Sequence, residues 1–387
     1  MTNATKSLAS PRTRILAAVA FAGLALVYTY PLVLAPTQAN RFNSPDAVLN
    51  AWILSWDVDQ LSAGNFDVFD APLFHPESNT LALSENLLTA AVLVLPIRFM
   101  TDDPIVLVNS ALLLVLLANG LAGYCLANEY SGSGTAGMIT GLVVGFGSFH
   151  WAHIPHLQLQ ILFPLVLSFF FARRFRNAPR LSTGIAMAFS VAATFGASGY
   201  YAAFLVTTLP LFVLIDLAGI EAKQRLRVLA GFTAVGALSA VLSLPLVLPY
   251  GEQREAGYRR ALSAAAEHSA DPVAYATSAA RVHFMLPSDE QEPFFPGFAA
   301  VALALVAVWT ARTTGERMRD LIPWLAVGAL GVAISLGPGS FAFRLLYELG
   351  PYQAIRVPSR AGVLFLLAAS VVAGVGVSRL KTRGVRY

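Results

Sequence analysis

Charge is what this chain has least of. Only 12% of its 387 residues are Asp, Glu, Lys or Arg, about half the share carried by a soluble globular domain. That scarcity excludes a water-covered surface of ordinary size. The small formal excess of +4 demands no nucleic-acid partner, because the cytoplasmic loops of membrane proteins are basic anyway. Cysteine is nearly absent too. The single Cys125 excludes an internal disulfide and a thiolate metal site. No glycine-rich phosphate loop and no Ser/His/Asp signature occurs, so nothing points to a nucleotide substrate or a serine triad. The inverted repeat of many transporters is not visible either.

What remains is apolar. Hydrophobic residues make up 56% of the chain, and they come in unbroken runs, among them 16–34, 105–126, 159–171 and 226–250. A helix needs about twenty such residues to cross ~30 Å of hydrocarbon, and only a helix or a closed barrel satisfies its backbone there. The fold class is therefore all-α, a polytopic transmembrane bundle forming a single domain over 1–387.

Ten spans are expected: 14–35, 104–126, 134–150, 157–173, 182–199, 200–220, 227–249, 294–311, 320–337 and 360–378. The first follows Lys6, Arg12 and Arg14 and resembles a signal peptide, with Ala35-Pro36-Thr37-Gln38-Ala39 as a weak cleavage region. Its length favours an uncleaved span with the N-terminus inside. Residues 86–100 are ambiguous, and counting them as a span reverses every later loop. Four basic clusters decide: Arg173, Arg174, Arg176 and Arg180; Lys223, Arg225 and Arg227; Arg312, Arg317 and Arg319; Arg379, Lys381, Arg383 and Arg386. All four fall inside only if 86–100 lies in the interface rather than crossing. Both termini are then cytoplasmic in an inner-membrane, multi-pass protein. Nine of the 26 basic residues face out: Arg41, Arg98, Arg254, Arg259, Arg260, Arg281, Arg344, Arg356 and Arg360. The substantial outer segments are 36–103, 250–293 and 338–359.

Three places in those segments carry candidate chemistry. In the first, Ser44-Pro45 marks a helix start with Asp46 in the opening turn. Asp46, Asn50 and, less closely, Asp57 lie toward one helical face, while Trp52 and Trp56 are spaced to anchor the helix at lipid headgroups. Asp46 is either a reactive carboxylate or an ordinary helix-start acid facing water. The second place, Phe149-His150-Trp151-Ala152-His153-Ile154-Pro155-His156-Leu157-Gln158, holds three of the six histidines. With Asp46, His153 or His156 would complete a metal site; the alternative is an interfacial aromatic and histidine belt. The third place is the run Arg356-Val357-Pro358-Ser359-Arg360. Outward arginines beside a membrane suit lipid phosphates or simply snorkel to headgroups. Arg356 and Arg360, abutting a span, favour phosphate; Arg254, Arg259 and Arg260 favour snorkelling.

This layout resembles the GT-C superfamily of integral-membrane glycosyltransferases, and in particular a bacterial branch of GT-C-like membrane proteins. The resemblance rests on ordered pieces: Asp46 with Asn50-Ala51-Trp52 and Trp56; Phe74-His75-Pro76; Leu83-Ser84-Glu85; His153 with His156-Leu157-Gln158; Phe295-Pro296-Gly297; and Arg356-Val357-Pro358-Ser359-Arg360. It spans nearly the whole chain. It implies a polyprenyl-phosphate-linked sugar as donor and an acceptor at the outer membrane face. Asp46 would be the general base, with Glu85 assisting. Asn50, Trp52, Trp56, Gln158, Arg356 and Arg360 would bind substrate. A divalent cation (Mg or Mn) on His153 and His156 would assist the leaving phosphate. The chain departs from the family pattern in the second outer loop, where His153, His156 and Gln158 stand in place of another acidic residue. A partner protein is allowed for, and so is a lipid or glycolipid transporter, or an assembly subunit, built on the same scaffold.

Overall fold

The computed structural model describes residues 10–38, 44–288, 292–314 and 318–384. Lys6, Arg41, Asn43, Arg317 and Arg386 lie outside them, as do the side chains of Lys381 and Arg383. The described chain is all-α, a polytopic helical membrane protein. Its α-helices are α1 (Pro11–Tyr28), α2 (Pro45–Ser62), α3 (Leu88–Arg98), α4 (Pro104–Ser131), α5 (Gly134–Phe146), α6 (Ser148–Ala152), α7 (Leu157–Gln160) and α8 (Phe163–Asn177). They continue with α9 (Leu181–Phe195), α10 (Gly199–Leu217), α11 (Ala222–Glu255), α12 (Leu262–Ala266), α13 (Phe298–Thr314), α14 (Met318–Ser335), α15 (Phe341–Glu348) and α16 (Gly362–Gly384).

Among the described residues, seven helical stretches are long and apolar enough to cross a membrane: α1, α4, Leu157–Asn177, α10, α11, α14 and Pro358–Leu380. Each of the ten expected spans has a helix. The other three, α5, α9 and α13, have only 13, 15 and 17 residues. At 1.5 Å per residue these reach about 20–26 Å, less than the hydrocarbon thickness. Helix α1 also ends earlier than expected, at Tyr28 rather than near Ala35.

Helix α4 shows how the sequence sets an element. Asp103 caps it by accepting from the Ile105 N–H at 2.8 Å, Pro104 opens it, and Gly132 closes it at φ 68°. The two-residue link Gly132-Ser133 turns the chain straight back into α5. Close packing there needs glycine: a Cβ on Gly141 would sit 2.5 Å from the Gly120 carbonyl. This is the small-residue contact by which helices approach without a hydrophobic drive between them. Helix α16 packs on α5, α13 and α14. Trp324, Phe169, Phe212 and Phe204, all fully buried, form the centre of the main core.

The first outer segment builds a second core of its own. Ile53, Leu54, Val58, Leu81, Leu87 and Leu112 are buried together, with Ile154 and Leu157 from the segment before α8. Helix α3 has 11 residues, about 17 Å. It buries Ala90, Ala91 and Val94 and leaves Val92 exposed, a two-sided pattern that suits an interfacial position. Helix α11 runs past the expected start of the second outer segment and reaches the first. There Asn79 donates to Glu252 at 2.7 Å, Gln253 to the Ser78 carbonyl at 2.8 Å, and Asn86 to the Tyr250 hydroxyl at 3.1 Å.

Candidate functional site

The helix start expected at Ser44-Pro45 is present. Ser44 Oγ accepts from the Ala47 N–H at 3.2 Å, and Pro45 is the first helical residue. This cap fixes Asp46 in the first turn with its side chain 62% exposed. One turn on, the Asn50 amide donates to its own helix at the Asp46 carbonyl (2.8 Å) and across to the Pro155 carbonyl (3.3 Å). Asn50 therefore pins the histidine loop to the start of α2. The result is a contact between segments 110 residues apart: His156 Nε2 lies 3.3 Å from Asp46 Oδ2.

Burial and the nearby Arg360 hold the His156 imidazole below its ordinary value, against an opposing pull from Asp46. Near neutral pH it is uncharged and donates its Nε2 proton to Asp46. Its Nδ1 is buried and finds no hydrogen-bond partner in the described residues. His153 is more enclosed. It stacks on Phe149 at 4.3 Å and donates to the Phe149 carbonyl at 2.8 Å. Burial pushes it down to about 3.

Arg360 faces the same place from the other side of the chain. Its guanidinium sits over the Tyr200 ring at 4.4 Å. Its charge acts on His153, His156 and Glu85. Arg356 is exposed. Glu85 is engaged at both oxygens: Gly199 N–H donates at 2.6 Å and Ser198 Oγ at 3.2 Å. It thus caps the start of α10, and burial raises it to about 7. Arg360 acts on it through its charge.

Trp52 and Trp56 stack face to face at 6.1 Å, and Trp56 donates to the Val68 carbonyl at 2.8 Å. Both are half-buried and brace this segment. Beside Asp46, an open groove of about 640 Å³ runs along Pro45, Val48, Leu49, Trp52 and Leu73. Arg98, one of the outward arginines, bonds Asp59 at 2.7 Å and also Asp102.

The residues do not fit a divalent cation held by protein ligands. Among the described residues no three His, Cys, Asp or Glu side chains converge at metal-binding spacing. His153 Nδ1 is engaged by the Phe149 carbonyl and His156 Nε2 by Asp46. Gln158 is buried with its Oε1 unpartnered, and the loop is held by its neighbour. Gln160 donates to the carbonyls of His150 (3.1 Å) and His153 (2.6 Å) and meets His150 Nδ1 at 2.9 Å. Gln160, Tyr200 and Ser198 escaped the sequence reading. All three lie within or beside apolar runs, and their roles come from partners distant in sequence.

Comparison with models of known protein families gives no match, and comparison with curated proteins gives none either.

Proposed function

We propose that the protein is a membrane glycosyltransferase of GT-C type, moving a sugar from a polyprenyl-phosphate donor to an acceptor hydroxyl at the outer face of the membrane. The observation that carries this reading is the contact between Asp46 and His156, exposed on the Asp46 side and overlooked by Arg360. In the reaction the acceptor oxygen attacks the anomeric carbon. The bond from that carbon to the phosphate oxygen breaks, and Asp46 takes the acceptor proton. Neutral His156 donates to one carboxylate oxygen and leaves the other turned to the acceptor. Arg360 and the exposed Arg356 meet the negative charge that gathers on the departing phosphate. The groove along Val48, Leu49 and Trp52 offers the lipid chain an apolar path to Asp46. The positive-inside reading of the four basic clusters supports cytoplasmic termini and, with them, Asp46 on the outer side.

The test is mass spectrometry of lipids that co-purify with the wild-type protein and with Asp46→Asn. A polyprenyl-phosphate sugar is expected with both, turned over by the wild type alone. Loss of a general base lowers turnover by about 10²–10⁴-fold. Bulk phospholipid alone in both samples would overturn the donor class and leave transport or assembly as the reading.

A further inference from the structure

The second outer segment holds out a small apolar tip. Residues 281–286 read Arg-Val-His-Phe-Met-Leu, and Val282, Phe284 and Met285 are 77%, 85% and 80% exposed. Such exposure on three adjacent large side chains is not a loose end. Ser278 N–H donates to the Pro287 carbonyl at 3.1 Å and closes the loop at its base. Inside it, His283 Nδ1 meets Ser278 Oγ at 2.7 Å, and Leu286 N–H donates to the His283 carbonyl at 2.8 Å. The backbone is thus fixed while the apolar side chains point away from the protein.

What they point into follows from the neighbouring helix. The His283 ring packs edge-on against Phe295 at 5.1 Å and against Phe298 at 5.6 Å. Phe298 opens α13, whose buried side is Ala300, Ala307 and Ala311. Its other side, Phe298, Val301, Leu305 and Trp309, is exposed and lies on one helical face by the i, i+3, i+4 rule. In a helical membrane protein such a face meets lipid. The tip therefore abuts the end of a lipid-facing stripe and extends it, with exposed Arg281 at its edge, where a guanidinium meets headgroup phosphate.

We infer that residues 281–286 form a preformed wedge that enters the membrane leaflet at the start of α13, with Val282, Phe284 and Met285 among the acyl chains. The wedge would tether the long segment between α11 and α13 to the bilayer. It involves no group of the Asp46 site and stands whether or not the chain transfers a sugar.

The test uses the full chain in lipid nanodiscs with its one cysteine removed by Cys125→Ala. A nitroxide is placed at Phe284→Cys and, separately, at Val282→Cys, so that one poorly folding variant does not decide the result. Collision with oxygen and with a water-soluble nickel chelate is then measured, with Leu305→Cys as the lipid reference and Glu77→Cys as the aqueous one. The expected oxygen-to-nickel ratio is several-fold above that at Glu77 and matches that at Leu305. A ratio like that at Glu77 would overturn the wedge. Shielding from both probes would overturn it as well, since that marks contact with a second copy or another protein.

Discussion

The helical stretch Leu157–Asn177 carries an ionic cluster at each end, and the two differ in kind. Just before it, His156 touches Asp46 at 3.3 Å, with Asp46 largely exposed. Toward its other end, Arg173 bonds Asp216 at 2.5 Å and Asp320 at 2.6 Å, with Arg173 and Asp216 less than a tenth exposed. Arg173 also lies over the Tyr130 ring at 4.6 Å. That set joins α4, α8, α10 and α14. It is tight, buried and mutually neutralising, which locks helices but leaves little for a ligand. The Asp46 set is longer and wetter, with Asp46 62% exposed. Each set leaves a nitrogen unpartnered, His156 Nδ1 in one and Arg173 Nε in the other; what separates them is exposure, since Asp46 is open to a ligand and Asp216 is not.

This contrast is open to direct attack. The largest effect is expected from Arg173→Leu, which leaves buried Asp216 only the longer contact to Arg176 at 3.7 Å. Removing one partner of a buried pair costs about 3–5 kcal/mol, read as a lower unfolding temperature in detergent. A change below about 1 kcal/mol would place the cluster with ordinary surface pairs. Next comes Asp57, buried with Oδ2 accepting from Leu87 N–H at 3.1 Å and Oδ1 unpartnered. Burial raises it from 3.8 to about 7. Protonation thus favours the folded chain: this contribution is intact below 3.8 and is lost as pH rises through about 7. Asp57→Asn keeps an acceptor for Leu87 and removes the charge. It is expected to be the more stable protein at alkaline pH, by a few kcal/mol at most on the scale of about 1.4 kcal/mol per unit. The gain shrinks as pH falls, and Glu85 leaves a residual slope. Equal pH profiles for the two proteins would refute the assignment. The smallest effect is on the stability of Asp46→Asn, within about 0.5 kcal/mol because the group is exposed. That small change, set beside a large loss of turnover, would separate the two clusters by function as well as by packing.

Much of the frame was legible from apolar runs and turn residues. Every expected span has its helix, and the Ser44-Pro45 start holds as written. Local signals misjudged what depended on partners. Asp57 was grouped loosely with Asp46 and Asn50, yet the helix turns it into the core. Arg173 reads in the sequence as one of a basic cluster at a span end, and the structure makes it the hub of a buried ionic cluster. Glu85 was given an assisting role, and its two oxygens are spent on Ser198 and Gly199. Of the two outer arginines, Arg360 and not Arg356 directs its charge at His156 and Glu85. Gln160, which holds the histidine loop, carries no signal in the sequence.

By itself the sequence determined that this chain lies in a membrane as a set of helices, because long apolar runs leave the backbone no other partner than itself. It also set where α2 and α4 begin, since caps and prolines act over a few residues. Only the tertiary structure decided which charges are structural and which are open. Pairing and burial depend on segments more than a hundred residues apart, such as Asp46 with His156 and Arg173 with Asp320. No local pattern records that distance.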